Sequence, residues 1–147
     1  MLINLLFGLP VMVVCLVIQA VLIARVLAYY LGHASEVTRS GPMAGVGVLV
    51  TVMIMLVVGN MLQVVVWACL FYLLGEFQHF SESVYHSGVN FAALGYGDIV
   101  MSEKYRLLGP IEAINGVLMI GVTTAVLMST IQDILKHRIA ARSDGGH

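Results

Sequence analysis

Ala92-Ala93-Leu94-Gly95-Tyr96-Gly97-Asp98 alternates glycine with a bulky residue, between a short apolar run and a long apolar span. Glycine enters the positive-φ region at little cost, so Gly95 and Gly97 allow successive carbonyls to turn to one side. A backbone of that shape can present a column of oxygens to a desolvated cation. A tight turn closing a helix would use the same residues, and the short glycine motif alone does not choose between the two. Its position between two membrane spans favours the column.

Of the 147 residues, 60% are hydrophobic and 10% are charged. A soluble domain carries about 25% charged residues, and here the mean hydropathy is +0.98. The chain is therefore read as an all-α integral membrane protein embedded in the lipid bilayer. Its net charge of −1, with no cluster of lysine or arginine, offers no surface for nucleic acid. Cys15 and Cys69 lie inside apolar runs and read as small packing residues, not as a disulfide or a metal site.

The first apolar run, from Leu5 to about Tyr30, exceeds the ~20 residues needed to span a bilayer. No basic residue precedes it and no small-residue cleavage site follows, so residues 1–31 are expected to stay as a transmembrane helix. The polar residues 32–42, ending in Gly41-Pro42, are expected to form a linker. A second span, the outer helix, is expected over 43–74. Asn60 and Gln63 fall on one face near its middle, and Trp67, Phe71 and Tyr72 are placed at the far interface. Ser81 is expected to cap a helix over 81–92, with Glu82 in the first turn. That helix is ~18 Å long, about half a bilayer, so it reads as re-entrant, its C-terminal dipole aimed where a cation could rest.

After residues 93–98 comes a third span, expected over 103–135, with Glu112 and Asn115 polar inside it and Gly116 and Gly121 weakening its middle. Residues 136–147 read as a short tail. Arg25, Arg39, Lys136, Arg138 and Arg142 fall on one side of this topology, Lys104 and Arg106 on the other. The larger basic set is expected to be cytoplasmic, which puts the tail inside and the N-terminus outside.

From about Leu49 to Leu135 the chain resembles the pore domain of the potassium channel superfamily: outer helix, pore helix, filter and inner helix. Phe91-Ala92-Ala93-Leu94-Gly95-Tyr96-Gly97-Asp98 resembles the family signature Thr-Val-Gly-Tyr-Gly-Asp, with Ala93 at the threonine and Leu94 at the valine. Gly116-Val117-Leu118-Met119-Ile120-Gly121 resembles the inner helix, Gly116 standing at the hinge glycine. With its extra N-terminal span the whole chain is similar to small three-span bacterial ion-channel proteins of the inner membrane. The resemblance implies a homotetramer in which each subunit gives one strand, Ala93 to Asp98, to a common selectivity filter. K+ would shed its water onto carbonyls of Ala93, Leu94, Gly95 and Tyr96 and pass in single file. Val89 stands where some members carry a glutamate bracing the filter aspartate, and Tyr85 and His86 where many carry a pair of aromatics.

On the inner helix Val117, Ile120, Thr124 and Ile131 recur on one stripe, assigned to the cavity wall. Gly116 and Gly121 are assigned as gating hinges, so Gly116→Ala is expected to change gating and leave selectivity alone. Two readings stand for Glu112 and Asn115: tuning of ion occupancy or gating, or a structural hydrogen bond to Asn60 or Gln63. His79 and His86 read as packing residues, with external pH sensing as the second reading. The expected function is passive, potassium-selective conduction; the alternative is a non-conducting or weakly selective membrane scaffold or regulatory subunit. No catalytic residue and no small-molecule substrate is expected, since Glu82, His79 and His86 form no recognised acid–base, nucleophile or metal spacing.

Overall fold

A computed structural model describes residues 1–39 and 42–144. Among them are four helices and no strand: α1 (Leu2–Arg39), α2 (Pro42–Leu73), α3 (Phe80–Phe91) and α4 (Leu108–Asp144). Leu2–His33, Met43–Leu73 and Leu108–Lys136 are long and apolar enough to cross a membrane. With 12 residues, α3 is not. The protein is an all-helical, multi-pass membrane protein.

Helix ends depart from the sequence reading where polarity had been taken for a break. Most of the expected linker is helix, because α1 continues to Arg39 and α2 opens at Pro42. Polar residues there mark the exit from hydrocarbon; only Gly32 opposes a helix, by about 1 kcal/mol. Proline suits a first helical position, where its missing N–H would have had no partner. Residues 40–41 lie outside the described residues. The expected tail is helical up to Asp144, and residues 145–147 are again outside the described set.

The inner helix starts at Leu108, not at residue 103, because the preceding residues are held in turns. Glu76 accepts hydrogen bonds from the Ser102 backbone N–H at 2.6 Å and from its hydroxyl at 2.7 Å. Tyr105 and Arg106 then bond back to the Ser102 carbonyl, and Pro110 falls in the first turn of α4. The N-cap of α3 is His79 rather than Ser81. Glu82 reaches back 3.4 Å to the His79 backbone N–H, satisfying one donor of the helix start.

The chain forms two compact units. The first comprises residues 1–19 and 59–121 and has a core of Cys15, Val64, Trp67, Phe71, Phe91, Tyr105, Leu108 and Met119. Trp67 and Phe71, in the last two turns of the span Met43–Leu73, are fully buried and so pack against protein there. The ring of Phe71 meets His86 of α3 edge-on. At Gly8, an added methyl would come within 3.1 Å of Ile111, so α1 and α4 approach closely there. Asn4 near the start of α1 donates to the Lys104 carbonyl at 2.9 Å.

The second unit comprises residues 20–58 and 122–147. Its helices meet in two small clusters, one of Tyr30, Val48 and Ile134 and one of Val26, Val52 and Leu56. The Tyr30 hydroxyl donates to Asp133 at 2.7 Å, joining α1 to α4.

Candidate functional site

The conspicuous backbone of the molecule begins where α3 ends. Ala93 N–H bonds to the Asn90 carbonyl at 2.8 Å and Leu94 N–H to the Val89 carbonyl at 2.9 Å. This pair of bonds is a Schellman cap, and its left-handed position is Ala93, at φ 54°. Alanine there costs roughly 1 kcal/mol relative to glycine. Positive φ then recurs at every second residue, Gly95 at 64° and Gly97 at 71°. The two readings of the glycine motif therefore coexist: the first residue closes the helix, and the rest form an extended, alternating strand. No described residue donates a hydrogen bond to the carbonyls of Ala93, Leu94, Gly95 or Tyr96. Leu94 and Tyr96 are 53% and 65% exposed, and the neighbours of Gly95 and Gly97 leave room for a methyl group.

The far end of the strand is tied back to α3 by side chains. Tyr85 donates its hydroxyl to Asp98 at 2.6 Å. That bond holds the Asp98 carboxyl below its usual range and raises the Tyr85 phenol. Val89 contributes no polar brace, so Tyr85 makes the bond to the aspartate from one turn earlier. His86 places Nδ1 2.9 Å from the Ile99 carbonyl and Nε2 2.8 Å from the Asn90 amide nitrogen. The carbonyl can only accept and the amide nitrogen can only donate, which fixes a neutral imidazole with its proton on Nδ1. Phe71 and Phe77 pack on its ring.

Burial holds the His86 pKa below its ordinary 6.5, outweighing the Ile99 carbonyl and the carboxylates of Asp98 and Glu76, which act the other way. The neutral form is thus favoured by folding. Its contribution is complete above the unfolded value of about 6.5 and is lost as pH falls through the lower folded value. Thermal stability should decline between about pH 7 and pH 5, and His86→Phe should flatten that slope. Equal slopes in the two proteins would remove His86 as the cause.

Behind the strand, α4 meets the last turn of α3 without a side chain between them. A methyl group on Gly116 would overlap the backbone carbonyl of Phe91. One turn earlier, Glu112 is fully buried and its Oε1 lies 2.5 Å from the Ser87 hydroxyl, which is also 2.7 Å from the Val64 carbonyl. This joins α2, α3 and α4. Gln63 instead donates to Gln19 of α1 at 2.8 Å. The expected bond from Glu112 to Asn60 or Gln63 is thus corrected: the partner is Ser87, because α3 packs between the two spans. Asn115 is fully buried beside Cys15.

A family described as Ion channel, the two-span type of potassium-channel pore domain, matches residues 61–133, from within α2 through α3 and the alternating strand into α4. Residues 61–133 are a pore domain of this ion-channel family. Searches of curated proteins and of solved structures returned no match.

In this ion channel the residues assigned to the cavity wall, Val117, Ile120, Thr124 and Ile131, are exposed or half-buried within one chain. Gly121 has room for a methyl group, in contrast to Gly116. Asn60 is half-buried on α2. Sequence reasoning missed Ser87 and Asn90 as site residues. The signal was present: Ser83, His86, Ser87 and Asn90 recur at helical spacing and form the face that α3 turns inward, the first three of them buried.

Proposed function

We propose that four copies of this channel surround an axis lined by the carbonyls of Ala93, Leu94, Gly95 and Tyr96, and that potassium ions pass along it passively. The observation carrying this reading is the run of four carbonyls to which no described residue donates, on a backbone whose φ is positive at every second residue. One strand cannot enclose an ion, and exposed Leu94 and Tyr96 call for neighbouring protein to cover them. Membership of the ion-channel family supports the same reading. Tyr85 and His86 act as tethers holding the outer end of the filter against the pore helix. The distribution of basic residues favours a cytoplasmic C-terminus and an external filter mouth. The test is ion flux from purified protein in liposomes under a potassium gradient and then a sodium gradient. Flux with both ions at equal rates would reject selectivity, and no flux would reject conduction.

The alternative, a weakly selective or non-conducting subunit, draws on Ala93, which lacks a hydroxyl to complete an innermost ligand ring. Water recovers most of a hydrogen bond worth about 1 kcal/mol, and the sites above are all backbone. Potassium preference should therefore persist, with low occupancy at the innermost site. Ala93→Thr should raise that occupancy, although a β-branched residue at φ 54° crowds the cap and lowers the gain. Ion density along the filter compared between the two proteins decides; equal innermost occupancy would show that the hydroxyl ring is not needed.

A further inference from the structure

The second unit contains a groove of about 390 Å³ between α1 and α4, a volume within the range of small-ligand sites. Its walls change character along its length. Ile23, Val26 and Leu27 make an aliphatic end, while Tyr30, Asp133 and Lys136 make a polar end. Tyr30 and Lys136 fall at the ends of the spans Leu2–His33 and Leu108–Lys136, which places the polar end at a membrane–water boundary. Ile23 is two turns back along α1, about 10 Å deeper in hydrocarbon. The groove therefore repeats the polarity gradient of one bilayer leaflet. On α4, Asp133 and Val126 lie roughly opposite Thr124 and Ile131, at about 100° per residue, so the groove is on the back of the helix from the proposed cavity stripe.

We infer that this groove is a binding site for one phospholipid with a zwitterionic, primary-ammonium head, of the phosphatidylethanolamine class. The acyl chain lies along Ile23, Val26 and Leu27, the phosphate meets the Lys136 ammonium, and the lipid ammonium donates to Asp133. The charge pattern selects the head: among the described residues, Lys136 and Asp133 are the charged groups lining the polar end, which suits a zwitterion better than an anion. Asp133 accepts from Tyr30 at 2.7 Å, and a carboxylate, with about four lone-pair sites, can hold several donors at once. A quaternary choline head has no N–H to offer them.

The full-length protein is purified in mild detergent and exposed in turn to dioleoyl phosphatidylethanolamine, phosphatidylcholine and phosphatidylglycerol, and retained lipid is counted by native mass spectrometry. The ethanolamine lipid should be retained about fivefold over the other two, close to one molecule per subunit. Lys136→Gln and Asp133→Asn should each reduce that preference by about fivefold, and Leu27→Trp, which fills the groove, should abolish retention. Equal retention of the three lipids, or a preference for phosphatidylglycerol, overturns the inference. So does retention that Leu27→Trp leaves intact. A disulfide between Leu27→Cys residues of two subunits, with no lipid retained, would show that protein fills the groove and equally overturns it.

Discussion

Gly116→Ala is expected to distort the proposed filter and to lower the yield of assembled channel. The reason is a contact. The added methyl overlaps the carbonyl of Phe91, and the carbon atoms behind that carbonyl are also too close, so no flexible side chain can move aside. Either α4 retreats or the last turn of α3 shifts, and Phe91 stands two residues before Ala93. Overpacking of this kind costs roughly 1–3 kcal/mol per site, and an assembly repeats it in every subunit. The potassium-to-sodium permeability ratio should therefore fall together with the thermal stability of the purified protein. Gly121→Ala should be tolerated by the fold, because nothing lies within 4 Å of the added methyl. It is the cleaner probe of helix flexibility and is expected to change open probability alone. The hinge reading of Gly116 rests on backbone flexibility; its contact with Phe91, two residues before Ala93, is why an effect on selectivity is expected as well. Unchanged stability and selectivity in Gly116→Ala would mean that α4 gives way easily at this point.

The second large effect is expected at Glu112. Glu112→Ala removes a side chain from a fully buried site and leaves the Ser87 hydroxyl without one of its partners. Ser87 keeps its bond to the Val64 carbonyl, so the lost hydrogen bond costs about 1 kcal/mol, and the space left by the lost methylenes adds about 1–2 kcal/mol. Ser87 has one hydroxyl proton for two acceptors, the Val64 carbonyl and Glu112, and the carbonyl has none to give. A glutamine amide supplies an N–H in the same place, so Glu112→Gln should stay within about 1 kcal/mol of the parent. Ser87→Ala and Glu112→Ala should be less than additive when combined, since both break one network. Thermal unfolding of the purified channel checks the order, parent and Glu112→Gln first, Ser87→Ala next, Glu112→Ala last. A stable Glu112→Ala protein would show that α2, α3 and α4 do not depend on this junction.

Much of the architecture was legible along the chain. Apolar runs long enough to cross a bilayer are a property of composition and length, so the three spans and the half-length helix between them needed no tertiary information. The glycine alternation at Gly95 and Gly97 likewise announced a left-handed backbone, because no other residue reaches that region as cheaply. Ala93 did not announce itself: its positive φ is imposed by the cap hydrogen bonds at the end of α3, which local preference opposes.

What packing alone decided is which polar groups meet. A buried polar side chain takes whichever partner the neighbouring helix brings within about 3 Å, and sequence separation does not reveal it. Glu112 lies 25 positions from Ser87 and Gln63 lies 44 from Gln19. The close passage of Gly116 over Phe91 and the Tyr85 tether on Asp98 have the same origin. Periodicity along a helix determines the face on which a residue stands; the docking of α3 between α2 and α4 determined what stands opposite it.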